Sequence, residues 1–162
     1  MRKRTSRDYF NVLAILLFFF LLRVMGQLFE FMSDCPLLPP MPEWQSGLIP
    51  YPVLLVFQVA IVVLFSRVCA NFKNRRGFFF TPNKYLGAPL LMFAKMYFGA
   101  NLVRLLIWET CIRHHQWYSG LIPITFHFVL AAFLAVVAKH HQESVKRVLI
   151  RSPYFKEPYC EI

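Results

Sequence analysis

Charged, amide and imidazole side chains interrupt four long apolar runs of this 162-residue sequence. Such groups are costly in an apolar environment, so they usually face the inside of a helical bundle and mark a functional or structural site. At a rise of about 1.5 Å per helical residue, one of them in each run lies at the same depth, roughly 10 Å from one end. These four residues are Arg23, Gln58, Arg104 and His127. The spacing therefore predicts one polar layer to which all four runs contribute.

Two arginines at this depth need anionic or carbonyl partners, and the sequence leaves two explanations open. In the first, Glu30 and Glu109 form structural ion pairs with the arginines. In the second, an arginine binds a ligand such as a carboxylate, a phosphate or a quinone carbonyl. The predicted ligand-binding residues are then Arg23, Gln27, Gln58, Asn101, Arg104 and His127.

The histidines and cysteines favour no known redox or metal chemistry. His127 is the only histidine deep in an apolar run, whereas a bis-histidine haem needs two facing imidazoles. The chain contains no C-x-x-C, H-E-x-x-H, G-x-S-x-G or nucleotide-loop motif. We therefore predict no catalytic residue and no metal ligand, and the sequence identifies no cofactor. Cys35 and Cys111 follow the first and third runs, where a disulfide would join the two halves of the chain in an oxidising compartment.

The composition indicates a membrane protein. Hydrophobic residues make up 57 % of the chain and charged residues only 16 %, which is more apolar surface than a soluble domain of this length can bury. Four segments are long enough to cross a hydrocarbon core, which takes about 20 helical residues. We predict an all-α, polytopic four-helix bundle, built as two helical hairpins in a single transmembrane domain over residues 1–162. The predicted spans are 9–32, 50–68, 86–110 and 121–141.

Basic residues account for the net charge of +10 and predict the orientation. They cluster before the first span, between the second and third, and after the fourth, whereas 33–49 contains no Lys or Arg. Cytoplasmic segments carry an excess of Lys and Arg, so we expect both termini in the cytoplasm. A bacterial inner membrane is the expected location, since no organelle or retention signal is legible. The charges lie at the ends of apolar runs, so the expected partners are membrane lipids, other membrane protein subunits or further copies of this chain, and not nucleic acid.

A repeated heptad raises the question of internal symmetry. "WQSGLIP" at 44–50 and "WYSGLIP" at 117–123 match at six of seven positions. Gly26 and Gly99 share the same offset of 73 residues. Each heptad combines a headgroup-level Trp, a Ser-Gly turn and a Pro suited to a first helical turn. Two explanations stay open: a tandem parallel repeat of two hairpins, or two similar helix entrances that converged on similar residues.

Three sequence patterns carry a resemblance. "RVMGQLFEF" in the first span, followed by three more spans, resembles the small DoxX-like membrane proteins. "SGLIPYPVLLVFQ" and "IPITFHFVLAAFL" are similar to bacterial four-span proteins with no assigned role. The resemblance covers the first, second and fourth spans and implies a fold rather than a substrate.

Three functions are compatible with these features. The first expectation is an accessory subunit or binding module of a larger membrane assembly, without catalytic activity of its own. The second is a lipid-soluble ligand or quinone binder, or an oxidoreductase component, with its site in the outer third of the bilayer. The third is a small transporter. Against this function, no span carries a proline near its middle, which is the broken-helix signal expected at a midplane substrate site.

Overall fold

The computed structural model describes residues 6–33, 38–44, 49–111 and 121–151. Most of these residues form helices, joined by short turns and irregular segments, with no strand in the described part of the chain. Apart from a single-turn helix, the helices are long and apolar enough to cross a membrane. The prediction of an all-α four-helix membrane bundle is therefore confirmed, and the chain is a small integral membrane protein.

The four long helices correspond to the four predicted spans, and a short helix, α2, precedes the second of them. Two long helices continue beyond the predicted ends at 68 and 141, because the residues that follow contain no Gly or Pro to stop them. A helix does not have to stop where it leaves the hydrocarbon layer of a membrane. The helices are α1 (Ser6–Ser33), α2 (Met41–Trp44), α3 (Tyr51–Asn74), α4 (Lys84–Cys111) and α5 (Leu121–Arg151).

The helices pack as two hairpins. α1 packs against α3, α4 packs against α5, and contact between α1 and α5 joins the two pairs. Among the described residues, no Cα atom of α3 lies within 8 Å of one in α4. The α1–α5 side of the bundle is therefore joined by close backbone contact, whereas the backbones of α3 and α4 lie farther apart.

The beginnings of α1 and α4 and the C-terminal parts of α3 and α5 meet at one end of the bundle. The Tyr9 and His140 rings lie 5.2 Å apart there, and the Phe72 and His140 rings 4.7 Å apart. A Cβ atom added at Gly87 would lie 3.2 Å from the backbone nitrogen of Gln142. The clusters of Lys and Arg also lie at this end, which we call the basic end.

The tightly packed core lies in the basic half of the bundle. Phe65 of α3 and Phe133 of α5 stack with their ring centroids 3.6 Å apart and their planes 5° apart. The backbones of α3 and α5 are not in close contact, so this pair bridges them through side chains alone. The buried core cluster consists of Tyr9, Leu13, Phe65, Val68, Cys69, Phe72, Phe133 and Val137.

Candidate functional site

A pocket of about 130 Å³ lies on the other side of the Phe65–Phe133 stack, toward the end opposite the basic end. Its lining includes Arg23 of α1, Gln58 of α3 and His127 of α5. Arg104 of α4 also lines it. The four residues predicted to share one depth thus line one pocket. Their role in binding a ligand stays a prediction.

Arg23 is a cation held inside the protein. Its side chain is only 8 % exposed, and its Nη2 atom donates a hydrogen bond to the backbone carbonyl of Trp44 at 3.0 Å. Its Cζ atom lies 5.2 Å from the centroid of the Phe126 ring, within the range of a cation–π contact. The Arg23 Nε atom is buried and has no hydrogen-bond partner among the described residues. One N–H donor of the guanidinium is therefore left without a protein partner among the described residues.

Gln58 and Gln27 form a buried amide pair. Gln58 Nε2 donates to Gln27 Oε1 at 2.8 Å, and Gln27 is completely buried. Within the described part of the chain, Gln58 Oε1 and Gln27 Nε2 have no partner. Gln58 lines the pocket and Gln27 does not, so Gln27 orients Gln58 instead of meeting a ligand. With the amides in this orientation, Gln58 offers the pocket a carbonyl acceptor.

Tyr97 is a polar residue of this region that the sequence analysis missed. Its hydroxyl lies 2.5 Å from His127 Nδ1, which links α4 to α5. If Tyr97 donates, Nε2 carries the imidazole proton and can donate to a ligand. Tyr97, Asn101 and Arg104 follow each other at i, i+4 and i+7, so one helical face could have indicated Tyr97 from the sequence.

Asn101 and Arg104 have different positions although they share that face. The Asn101 side-chain amide donates to the Tyr97 backbone carbonyl of its own helix at 2.8 Å, and Asn101 does not line the pocket. Arg104 is exposed and is the only lining residue from α4. The structure thus brings Arg104, but not Asn101, to the pocket.

Apolar side chains form the rest of the pocket wall. Phe57, on the α3 side, is 58 % exposed, and Arg104, on the α4 side, is exposed as well. No Cα atom of α3 lies within 8 Å of one in α4 among the described residues, so these two exposed side chains border a gap between the two backbones, which we call the lateral opening. The apolar lining residues are Phe20, Leu54, Phe57, Ile61, Pro123, Phe126 and Leu130, together with the largely apolar Trp44.

Trp44 forms the pocket wall at the end away from the basic end, and its expected position at the headgroup level stays a prediction. The side chain is 8 % exposed, and its Nε1 atom donates to the Pro39 carbonyl at 2.7 Å. A Cβ atom at Gly26 would lie 3.0 Å from the indole Cη2 atom. The short helix α2 contacts both α1 and α5, so Trp44 becomes a buried wall that holds Arg23 through its carbonyl.

The two glycines that share the offset of 73 residues have different surroundings, so they do not support an internal repeat. Gly26 adjoins Trp44, whereas a Cβ atom at Gly99 would meet nothing within 4 Å. Residues 45–48 and 117–120 of the two heptads lie outside the described residues. The tandem repeat therefore stays a prediction.

The predicted ion pairs and disulfide add no described residue to the pocket lining. Glu30 is buried in α1 and Glu109 is exposed near the end of α4, and neither lines the pocket. Their pairing with the arginines stays a prediction. Cys35 and the side chain of Cys111 lie outside the described residues, so the disulfide stays a prediction too.

No protein-family model, curated protein or solved structure matches the chain in our comparisons. The resemblance to DoxX-like proteins accordingly stays a prediction. The site must be interpreted from its own chemistry.

Proposed function

We propose that this integral membrane protein is a binding module for a lipid-soluble ligand with an anionic or carbonyl head. The observation that carries the proposal is the composition of the pocket. Among its described lining residues are two arginines, a glutamine and a histidine, and no Asp or Glu. The remaining wall is apolar, which suits an amphiphilic molecule better than a free ion.

The volume of the pocket limits the part of the ligand that enters. About 130 Å³ is close to the roughly 150 Å³ cavity that admits a benzene ring, and below the roughly 300 Å³ of pockets that enclose a drug-sized molecule. A carboxylate headgroup or a single quinone ring therefore fits. A hydrocarbon tail would leave between Phe57 and Arg104 and lie in the bilayer.

Each polar group has a role in this proposal. Arg23, desolvated and held by Trp44, binds the anionic or carbonyl oxygen through its guanidinium group. Arg104 attracts the head from the lateral opening, and His127 supplies a second directional hydrogen bond through Nε2. Gln58, oriented by Gln27, accepts a hydrogen bond from a hydroxyl or a protonated carboxyl group.

We also propose that the basic end faces the cytoplasm of a bacterial inner membrane. Both termini would then be cytoplasmic and the pocket would lie in the outer third of the bilayer. This orientation rests on the clustering of Lys and Arg at one end of the bundle.

An accessory subunit is the second candidate, because α4 leaves a wide apolar face uncovered. Among the described elements α4 contacts only α5. Met92, Met96, Val103 and Leu106 of α4 are each more than half exposed. Helices of another membrane subunit could pack on this face as well as lipid can.

Fluorescence of Trp44 provides the test, because this residue lines the pocket. In a variant with Trp108→Phe and Trp117→Phe, Trp44 is the only emitter. The protein in phosphatidylcholine nanodiscs is titrated with brominated oleate, a carboxylate probe, and with a short-tailed benzoquinone, a carbonyl probe. Arg104→Gln is compared with Lys95→Gln, which removes an exposed cation of the same helix outside the pocket.

We expect saturable quenching by at least one probe. Loss of one charged hydrogen bond of about 1.5–3 kcal/mol predicts roughly 10- to 100-fold weaker binding for Arg104→Gln, and Lys95→Gln should bind like the parent. Quenching that rises linearly without saturation, or that responds equally to both substitutions, would reject the proposal. Copurification of a stoichiometric second subunit, with no saturable probe binding, would favour the accessory subunit.

A further inference from the structure

A second pocket lies at the basic end, between the start of α1 and the end of α3. Its volume is about 280 Å³, twice that of the pocket in the opposite half. The two pockets share no lining residue, so an inference about one is independent of the other. The lining residues are Ser6, Arg7, Phe10, Phe72, Lys73 and Arg75.

The charge of this second pocket is entirely positive. Arg7, Lys73 and Arg75 line it from two chain segments, and no Asp or Glu is among its described lining residues. Asp8 follows Arg7 in the sequence but does not line the pocket. Three cations around one concavity repel each other, and a bound anion relieves that repulsion.

Arg75 reaches this position through an unfavourable backbone conformation. Its φ of 52° and ψ of 33° are left-handed, and its N–H donates to the Asn71 carbonyl to cap α3. This position after a helix usually holds Gly or Asn, because other side chains are strained there. Strained residues cluster at binding sites, and here the strained residue contributes one of the three charges.

The aromatic side of the pocket is rigid and apolar. Phe72 is 1 % exposed and packs edge-on against Phe80 and His140, while Phe10 packs on the core. The pocket thus combines a cationic rim with an apolar floor at the level where the long apolar helices begin and end. That combination matches a phosphate group attached to acyl chains better than it matches free phosphate.

We propose that this pocket binds the phosphate headgroup of an anionic phospholipid. The three cations contact the phosphate, and the partly exposed Phe10 contacts the adjoining glycerol and first methylene groups. Basic pockets at the ends of transmembrane helices are suited to such headgroups.

Native mass spectrometry of protein released from nanodiscs tests the proposal. The nanodiscs contain equal amounts of dioleoylphosphatidylglycerol and dioleoylphosphatidylcholine. A pocket variant with Arg7→Gln, Lys73→Gln and Arg75→Gln is compared with a control carrying Arg67→Gln, Lys139→Gln and Lys146→Gln. The control loses the same charge from exposed residues outside the pocket.

We expect the wild type and the control to retain phosphatidylglycerol in preference to phosphatidylcholine. At about fivefold per basic residue near the membrane surface, the pocket variant should retain it roughly a hundredfold less. Equal losses in the two variants, or no preference in the wild type, would overturn the proposal. Inorganic phosphate that binds in pure phosphatidylcholine nanodiscs, without a preference for phosphatidylglycerol, would assign the pocket to a free anion and also overturn it.

Arg75→Asn separates lipid binding from helix capping. Asparagine tolerates the left-handed conformation, so the variant should be at least as stable as the wild type while its retention of phosphatidylglycerol falls about fivefold. Unchanged retention in a stable Arg75→Asn protein would show that this residue only caps α3 and would contradict its part in the site.

Discussion

Replacing Gln27 and Gln58 by leucine, singly and together, measures how much the hydrogen bond between the two buried amides contributes to the free energy of unfolding. Gln58→Leu removes the 2.8 Å hydrogen bond and leaves the amide of Gln27 without a partner at a site with no exposure. A buried polar group that loses its partner costs about 1–3 kcal/mol. Hydrogen bonds between transmembrane helices are usually worth less, about 0.6 and at most about 1.7 kcal/mol. We therefore expect each single substitution to lower the free energy of unfolding by about 1–2 kcal/mol.

The double substitution should cost less than either single one. It removes both hydrogen-bonded atoms, Gln58 Nε2 and Gln27 Oε1. It also removes the other two amide atoms, Gln58 Oε1 and Gln27 Nε2, which already lack partners among the described residues. Leucine fills a similar volume, so the double variant should lie within about 1 kcal/mol of the wild type. The coupling free energy should then be about 1 kcal/mol or more.

Reversible unfolding in mixed micelles gives these free energies. Asn101→Leu combined with Gln27→Leu provides a matched control, because the Asn101 amide bonds only within its own helix. That second cycle should be additive within about 0.5 kcal/mol. Additive losses in the Gln27–Gln58 cycle as well would refute the inference that the two amides depend on each other.

Three further substitutions and one chemical modification test the packing. Gly87→Leu should lower the free energy of unfolding by about 1–3 kcal/mol in the same assay, because even a Cβ atom would crowd the backbone of α5. Gly99→Ala, where space is open, should be neutral or stabilising by up to about 1 kcal/mol. Equal effects of the two substitutions would contradict this packing. Phe133→Ala should cost about 3–5 kcal/mol through loss of the ring stack, and a loss below about 1 kcal/mol would show that the stack does not hold α3. Cys69 is 7 % exposed, so a maleimide should label it only after unfolding, and rapid labelling of the native protein in nanodiscs would contradict its burial.

The fold was predictable because it depends on features that repeat along the chain. Apolar runs of the length needed to cross a bilayer indicate four helices, whatever their detailed packing. The polar layer was predictable for a similar reason. Arg23, Gln58, Arg104 and His127 lie at similar distances from helix ends, and the rise per residue converts these distances into depth.

Rotation and short segments were harder to predict. Asn101 precedes Arg104 by less than one helical turn, yet its amide bonds to its own helix and stays outside the pocket. The rotation of a helix about its own axis determines which polar residue of a face reaches a pocket. That rotation is set by the packing of the bundle. Trp44 became a pocket wall because α2 follows a proline-rich segment whose course no periodicity indicates.

The site at the basic end depends on a single backbone conformation. Arg7 and Lys73 are basic residues near helix ends, as in many membrane proteins, and by themselves indicate only orientation. Arg75 joins them because α3 continues past the predicted end at 68 and is capped in a left-handed conformation. The absence of Gly and Pro from 69–76 allows the extension, but the sequence does not show where α3 ends or that Arg75 caps it, so it could not indicate a pocket there.

Native mass spectrometry of the protein extracted gently from its own membrane, with an absorbance spectrum of the same sample, tests the central claim most directly. Wild-type protein and Arg104→Gln are compared at equal yield, and bound molecules are identified by mass. The proposed function predicts one small amphiphile with a carboxylate or quinone head per wild-type chain, in addition to any phospholipid at the basic end, and its loss from Arg104→Gln. A wild-type chain that carries no such carboxylate or quinone molecule, or one that Arg104→Gln retains unchanged, would contradict the claim that the pocket binds a ligand.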